Sequence, residues 1–119
     1  MRVKDAVGRF GEDLADAALR AQGYEVLDRN WRCSDGEIDL VALDEAELVF
    51  VEVKTRTSTA FGDPAEAISP AKASRLRRLA VHWLVAHPQH RYPSLRFDVV
   101  AVIRLGESGP SVRHIRAAF

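Results

Sequence analysis

Two runs of the chain carry side chains that an ordinary apolar core would not hold. Glu37-Ile38-Asp39-Leu40-Val41 and Val51-Glu52-Val53-Lys54-Thr55 both read as strands. Side chains alternate between the faces of a strand, so Glu52 and Lys54 share one face and Val53 takes the other. Leu48, Val49, Phe50, Val51 and Val53 describe a strand buried on both sides. Burying ions is costly unless they are paired or bind a metal. Two carboxylates from neighbouring strands beside one ammonium form the minimal set for holding Mg²⁺ against a phosphate. Asp39 and Glu52 would supply hard oxygen ligands and the Val53 carbonyl a third. Lys54 would orient the attacking water or stabilise negative charge developing on the phosphate. The same Glu-x-Lys spacing also fits a buried ion pair without chemistry, and spacing alone favours that plainer reading.

These strands need neighbours to position them. A helix is expected from Val7 to Gln22, with Phe10, Leu14, Ala17, Ala18 and Ala21 on its apolar stripe and Gly23 as its stop. Glu12 falls on the polar side of that helix. Tyr24 to Arg32 reads as a first strand, Ser34-Asp35-Gly36 as a turn, Glu37 to Leu43 as a second strand and Leu48 to Thr55 as a third. If Asp44 to Glu47 form a four-residue loop, Leu43 pairs with Leu48, and Asp39 falls opposite Glu52 on the same face. Residues 57–68 contain Gly62 and Pro64, lack any period, and read as a mobile segment where substrate gating would sit.

Ser69-Pro70 opens a second helix that runs to about His87, before Pro88. Leu76, Leu79, Ala80 and Trp83 face the sheet, and Lys72 extends that stripe to the helix start, where the dipole favours anions. Lys72 could reach a phosphate from there or simply snorkel past the sheet edge. Arg75 flanks it. Val81, Leu84 and Val85 lie on the outward side, which a second copy of the chain or the segment Ile115 to Phe119 would cover. Leu95 to Ile103 and Ser111 to Ile115 complete the strands. The order α-β-β-β-α-β(-β) implies an α/β fold with a mixed sheet flanked by helices, one domain over residues 1–119.

The bulk composition narrows the class. No apolar stretch reaches membrane-spanning length, the first residues lack a signal-peptide core, and Cys33 is the single cysteine. A cytoplasmic protein with no membrane partner is expected. The net charge of zero conceals a division: residues 1–69 hold 8 Lys/Arg against 15 Asp/Glu, and residues 70–119 hold 9 against 2. An acidic half for cations and a basic half for phosphates suit a metal-dependent enzyme acting on DNA or RNA; a dipolar surface with no partner fits the count equally well. Arg56, Arg77, Arg78, Arg91 and Arg96 are further candidates for touching a nucleic-acid backbone. His82, His87 and His90 match no zinc-ligand spacing. Tyr24 and Trp31 read as packing residues.

Asp39, twelve intervening residues, and then Glu52-Val53-Lys54 resemble the signature of the PD-(D/E)-x-K endonuclease superfamily, with Ile38 in the proline position. Gly8-Arg9-Phe10-Gly11-Glu12, Asp35-Gly36-Glu37-Ile38-Asp39-Leu40-Val41, Val51 to Arg56, Phe61-Gly62 and Ala71-Lys72 narrow the likeness to the YraN family of uncharacterised bacterial proteins. That family is similar in organisation to archaeal Holliday-junction resolvases, and the likeness spans Gly8 to Val102. It implies a restriction-endonuclease-like fold with Glu12, Asp39, Glu52 and Lys54 at the site. It further implies Mg²⁺, with Mn²⁺ as a substitute, and cleavage of branched or structured DNA. Only this likeness lifts Glu12 from a surface carboxylate to a metal ligand or water-positioning group. The superfamily includes members that have lost activity. A non-catalytic nucleic-acid-binding module of the same fold therefore stays open, as does a protein-interaction domain.

Overall fold

The computed structural model describes residues 3–56, 68–105 and 109–119. Along the chain come α1 (Val3–Ala21), β1 (Glu25–Cys33), β2 (Gly36–Asp44), β3 (Glu47–Arg56), α2 (Pro70–Ala86), β4 (Ser94–Leu105) and β5 (Gly109–Ile115). The strands form one sheet in the order β1-β2-β3-β4-β5. Only β3 and β4 pair in parallel; the other neighbours are antiparallel. Hairpin partners need only a tight turn, whereas a parallel pair needs a long crossover, and α2 lies in that crossover. The result is the α/β arrangement and element order expected. Most of the expected gating segment, with Phe61-Gly62, lies outside the described residues.

The helices cover opposite faces. α1 packs over Leu40, Ala42, Val49, Val51, Val100 and Val102. Leu76, Leu79, Ala80 and Trp83 of α2 pack over Ile38, Val41, Leu48 and Phe50. β3 therefore has both faces buried, which accounts for its unbroken apolar run. Local chemistry sets the helix ends. After α1, Gly23 takes φ 90°, its N–H donates to Arg20 O, and Tyr24 N–H donates to Leu19 O, closing a Schellman turn. At α2, the Ser69 hydroxyl accepts from Lys72 N–H at 3.1 Å and Pro70 occupies the first turn.

The α1 stripe differs from expectation. Gly11, Ala15, Asp16 and Leu19 are buried, while Ala17 and Ala21 are exposed. Reading the stripe from apolarity alone rotated the helix, because two of its inward positions are acidic. Asp16 is held by Arg20 and by Arg29. The same rotation turns Glu12 inward: its side chain is 16% exposed, against 60% for Asp13.

The β2–β3 register is the expected one, with Leu43 opposite Leu48 and Leu40 opposite Val51. Asp44 and Glu47 also pair, so the turn holds only Glu45 and Ala46, with Glu45 at φ 56°. Beyond Leu40 the strand breaks its alternation. Ile38 packs on the α2 side and Leu40 on the α1 side, although residues two apart in a regular strand share a face. On β1, Asn30 lies between Arg29 (opposite Leu40) and Trp31 (opposite Ile38), and takes a left-handed φ of 52°. Asp39 sits at this irregularity, where the β2–β3 pairing ends.

Candidate active site

Where the ladder stops, a side chain replaces it. Val53 N–H donates to Asp39 Oδ2 at 2.8 Å, so the carboxylate serves an amide that a β2 carbonyl would otherwise satisfy. This fixes Asp39 at the opening between β2 and β3. Glu12 arrives from α1 and Glu37 from β2, and one carboxylate oxygen from each of Glu12, Glu37 and Asp39 lies within 4.8 Å of the others. Glu12 and Asp39 line a cleft of about 420 Å³ whose wall also includes Gly8, Val53, Thr55 and Arg56.

The electrostatics of the trio are unbalanced. Asp39 is pushed up to about 7, chiefly by burial and next by the charge of Glu52; the Val53 amide opposes this, and Glu12 and Glu37 add to it. Burial also raises Glu12, against a hydrogen bond from Asn30, with Glu37 repelling it. Arg29 Nη2 stands 4.0 Å from Glu12, and Arg32 Nε 3.1 Å from Glu37 at the surface. Among the described residues, no cation lies within ion-pair distance of Asp39. A set of hard carboxylate oxygens with excess negative charge fits Mg²⁺ or Mn²⁺ and does not fit a soft metal.

Glu52 has different company. Its Oε1 lies 3.4 Å from Lys54 Nζ and 3.5 Å from Lys72 Nζ, on the α2 side of the sheet. Burial raises Glu52, and Lys72 works against that shift. The expectation that Asp39 and Glu52 would stand opposite each other on one face is therefore corrected. The strands part before that pair forms; Asp39 turns to the α1 cleft and Glu52 to the α2 lysine, though their charges still interact. Lys54 is buried beside Glu52, as the Glu-x-Lys spacing required.

Lys72 reaches Glu52 from the start of α2. Arg75 is exposed beside it, close enough to favour ionised Glu52, and with Arg78 it borders a shallow depression. Arg56 is exposed at the cleft edge. Arg96 is no surface contact: it is half-buried and bonded to Asp98, Asp44, Glu47 and the Tyr24 hydroxyl. Arg77 lies over the Phe97 and Phe119 rings. The three histidine rings have separate partners, His82 bonding with Asp35, His87 with the Trp83 carbonyl and His90 with the Tyr92 hydroxyl. Val81 and Val85 are 60% and 76% exposed, and Phe119 packs instead against the cluster holding Phe97.

Sequence reasoning missed Glu37 and Asn30. Glu37 had a signal, since it lies two residues before Asp39 and alternation places such pairs on one face. Asn30 had none, because its role depends on the left-handed turn at that one position.

No helix among the described residues is long and apolar enough to cross a membrane. The chain is 56% identical over 119 residues to a UPF0102 protein of Frankia alni, covering 100% of this chain and 98% of that protein. It is 55% identical over 116 residues to one from Beutenbergia cavernae, with 98% of each covered. A third, from Acidothermus cellulolyticus, is 47% identical over 125 residues, covering 98% of this chain and 95% of that one. The sequence profile described as "Uncharacterised protein family UPF0102" matches residues 11–102, which takes in α1 from Gly11 onward, the acidic trio, Glu52, Lys54 and Lys72. On these matches the chain belongs to family UPF0102, in keeping with its YraN-like motifs.

Proposed function

We propose that this chain is a Mg²⁺-dependent endonuclease that hydrolyses phosphodiester bonds in DNA, with branched or otherwise structured DNA as its substrate. The observation that carries this reading is the trio Glu12, Glu37 and Asp39, of which Glu12 and Asp39 line an open cleft, next to the pair of half-buried Glu52 and buried Lys54. Asp39 and Glu12 would hold the cation, with Glu37, Glu52 and the Val53 carbonyl as further oxygens. When bound, the cation supplies positive charge for phosphate oxygens and acidifies water. The chain's own groups do the rest. Lys54 is held by Glu52 as a buried ammonium that favours negative charge on the phosphate. Lys72, Arg75 and Arg56 attract and seat the nucleic-acid backbone. Cutting two strands calls for two sites, and a second copy docked on the bare Val81–Val85 face would supply them; sedimentation equilibrium tests that association.

The decisive experiment incubates the purified protein with four-way junctions, flaps, nicked duplexes and single strands, with Mg²⁺, Mn²⁺ or EDTA. Metal-dependent cleavage is expected, lost in Asp39→Ala, Glu52→Ala and Lys54→Ala while circular dichroism stays native. Absence of cutting on every substrate with either metal overturns the catalytic reading. The neutralisation of Glu52 by two ammonium groups favours one rival, a non-catalytic nucleic-acid-binding module. That rival predicts salt-sensitive DNA binding and no Mn²⁺ binding by calorimetry.

A further inference from the structure

We infer that Gly11 is a positioning residue: the bare contact between α1 and Thr55 of β3 sets how far Glu12 stands from Asp39 and Glu37. This deepens the metal-site reading above, on which its functional consequence rests. Gly11 is buried. A Cβ built there would overlap Thr55 Oγ1 and lie 3.0 Å from Thr55 Cβ and 3.2 Å from its Cγ2. Rotating the Thr55 side chain would move Oγ1 and Cγ2 but not Cβ, which is fixed to the strand. Any side chain at position 11 must therefore lift the helix or bend the strand.

Three elements meet within a few residues of this contact. Glu12 follows Gly11 on α1, Glu37 and Asp39 come from β2, and Thr55 lines the same cleft as Glu12, Asp39 and Val53. Asp39 is itself tied to β3 through Val53 N–H. The helix and the acid pair are thus both referenced to β3, and Gly11 is the point of reference for the helix. Gly8, one turn earlier, lines the same cleft, yet a Cβ there would meet nothing within 4 Å. The two glycines separate the effect of helix position from the effect of added bulk.

The test compares Gly11→Ala, Gly8→Ala and the exchange Gly11→Ala/Thr55→Gly, which transfers the space across the contact. In metal-free protein, a double-mutant cycle of Glu12→Gln and Asp39→Asn on urea unfolding reads the repulsion between the two acids. A non-zero coupling is expected in the wild-type and Gly8→Ala backgrounds. It should fall in Gly11→Ala and return to the wild-type value in the exchange. In parallel, calorimetry should show Mn²⁺ binding about 10- to 100-fold weaker in Gly11→Ala and restored in the exchange. If Gly11→Ala does not fold, Thr55→Ile crowds the same contact from the strand side and takes its place. Coupling that is unchanged in Gly11→Ala, or that Thr55→Gly fails to restore, overturns the inference. A wild type that binds no Mn²⁺ but keeps the coupling pattern overturns the metal reading alone.

Discussion

Two acids sit deep in this sheet, and the fold treats them in opposite ways. Asp98 on β4 is fully buried and receives Arg96 Nε and Nη2 at 2.8 Å each, His114 Nε2 at 2.6 Å and Ala117 N–H at 3.0 Å. Burial alone would raise it, but these donors outweigh burial and hold it below the usual carboxylate range. Asp39 on β2 receives one backbone amide, and burial together with the charges of Glu52, Glu12 and Glu37 pushes it up to about 7. The Asp98 network joins the turn after α1, through Tyr24, and the C-terminal segment, through Ala117, to the sheet. It is closed within the chain. Among the described residues no cation lies within ion-pair distance of Asp39 and its cleft is open, the environment that marks a candidate functional site.

Mutation should break this contrast most sharply at Asp98. Asp98→Ala removes the buried acid on which Arg96, His114 and Ala117 N–H converge, so urea unfolding should show a loss of roughly 3–5 kcal/mol. Asp39→Asn should do the reverse in metal-free protein at pH 8, raising stability while abolishing stabilisation by Mn²⁺. The gain is bounded by the cost of ionising Asp39, on the order of 4 kcal/mol for a shift from 3.8 to about 7.

The pH dependence sharpens the comparison further, and its sign differs between the two acids. Below about pH 4 Asp39 is protonated in both the folded and unfolded chain and contributes nothing. As pH rises towards 7 the unfolded chain has lost that proton and the folded one keeps it, so the metal-free protein loses stability over that interval. Asp98 has the opposite sign: its contribution is present above its unfolded value and disappears as pH falls through its lower folded value. Unfolding of Asp39→Asn against pH should therefore lack the loss between pH 4 and 7. Metal affinity should rise over the same interval in the wild type, because the cation competes with a proton. The smallest effect is expected at the rim. Lys72→Ala or Arg75→Ala should weaken DNA binding alike for all sequences and lower the salt slope by about 0.9 each.

Much of the molecule could be read from the chain because local chemistry dictates it. Gly23, Ser69-Pro70 and Pro88 bound the helices, alternation placed Glu52 with Lys54, and the Leu43–Leu48 register followed from the hairpin. What failed were inferences that carry such rules past an irregularity. Regular alternation put Asp39 opposite Glu52, but the β2–β3 ladder stops at Leu40 and Val51, and that break depends on pairing with strands on both sides. Apolarity put Glu12 towards water, but α1 rolls onto β3 where Gly11 and Ala15 leave room, and carries Glu12 inward.

Periodicity, caps and turn residues act over a few positions, so the sequence by itself determined which elements form, in what order, and that Glu52 and Lys54 travel together. Which carboxylates meet was decided only in the tertiary structure. That choice rests on how closely a helix approaches a strand and where two strands part, and both depend on contacts between residues tens of positions apart.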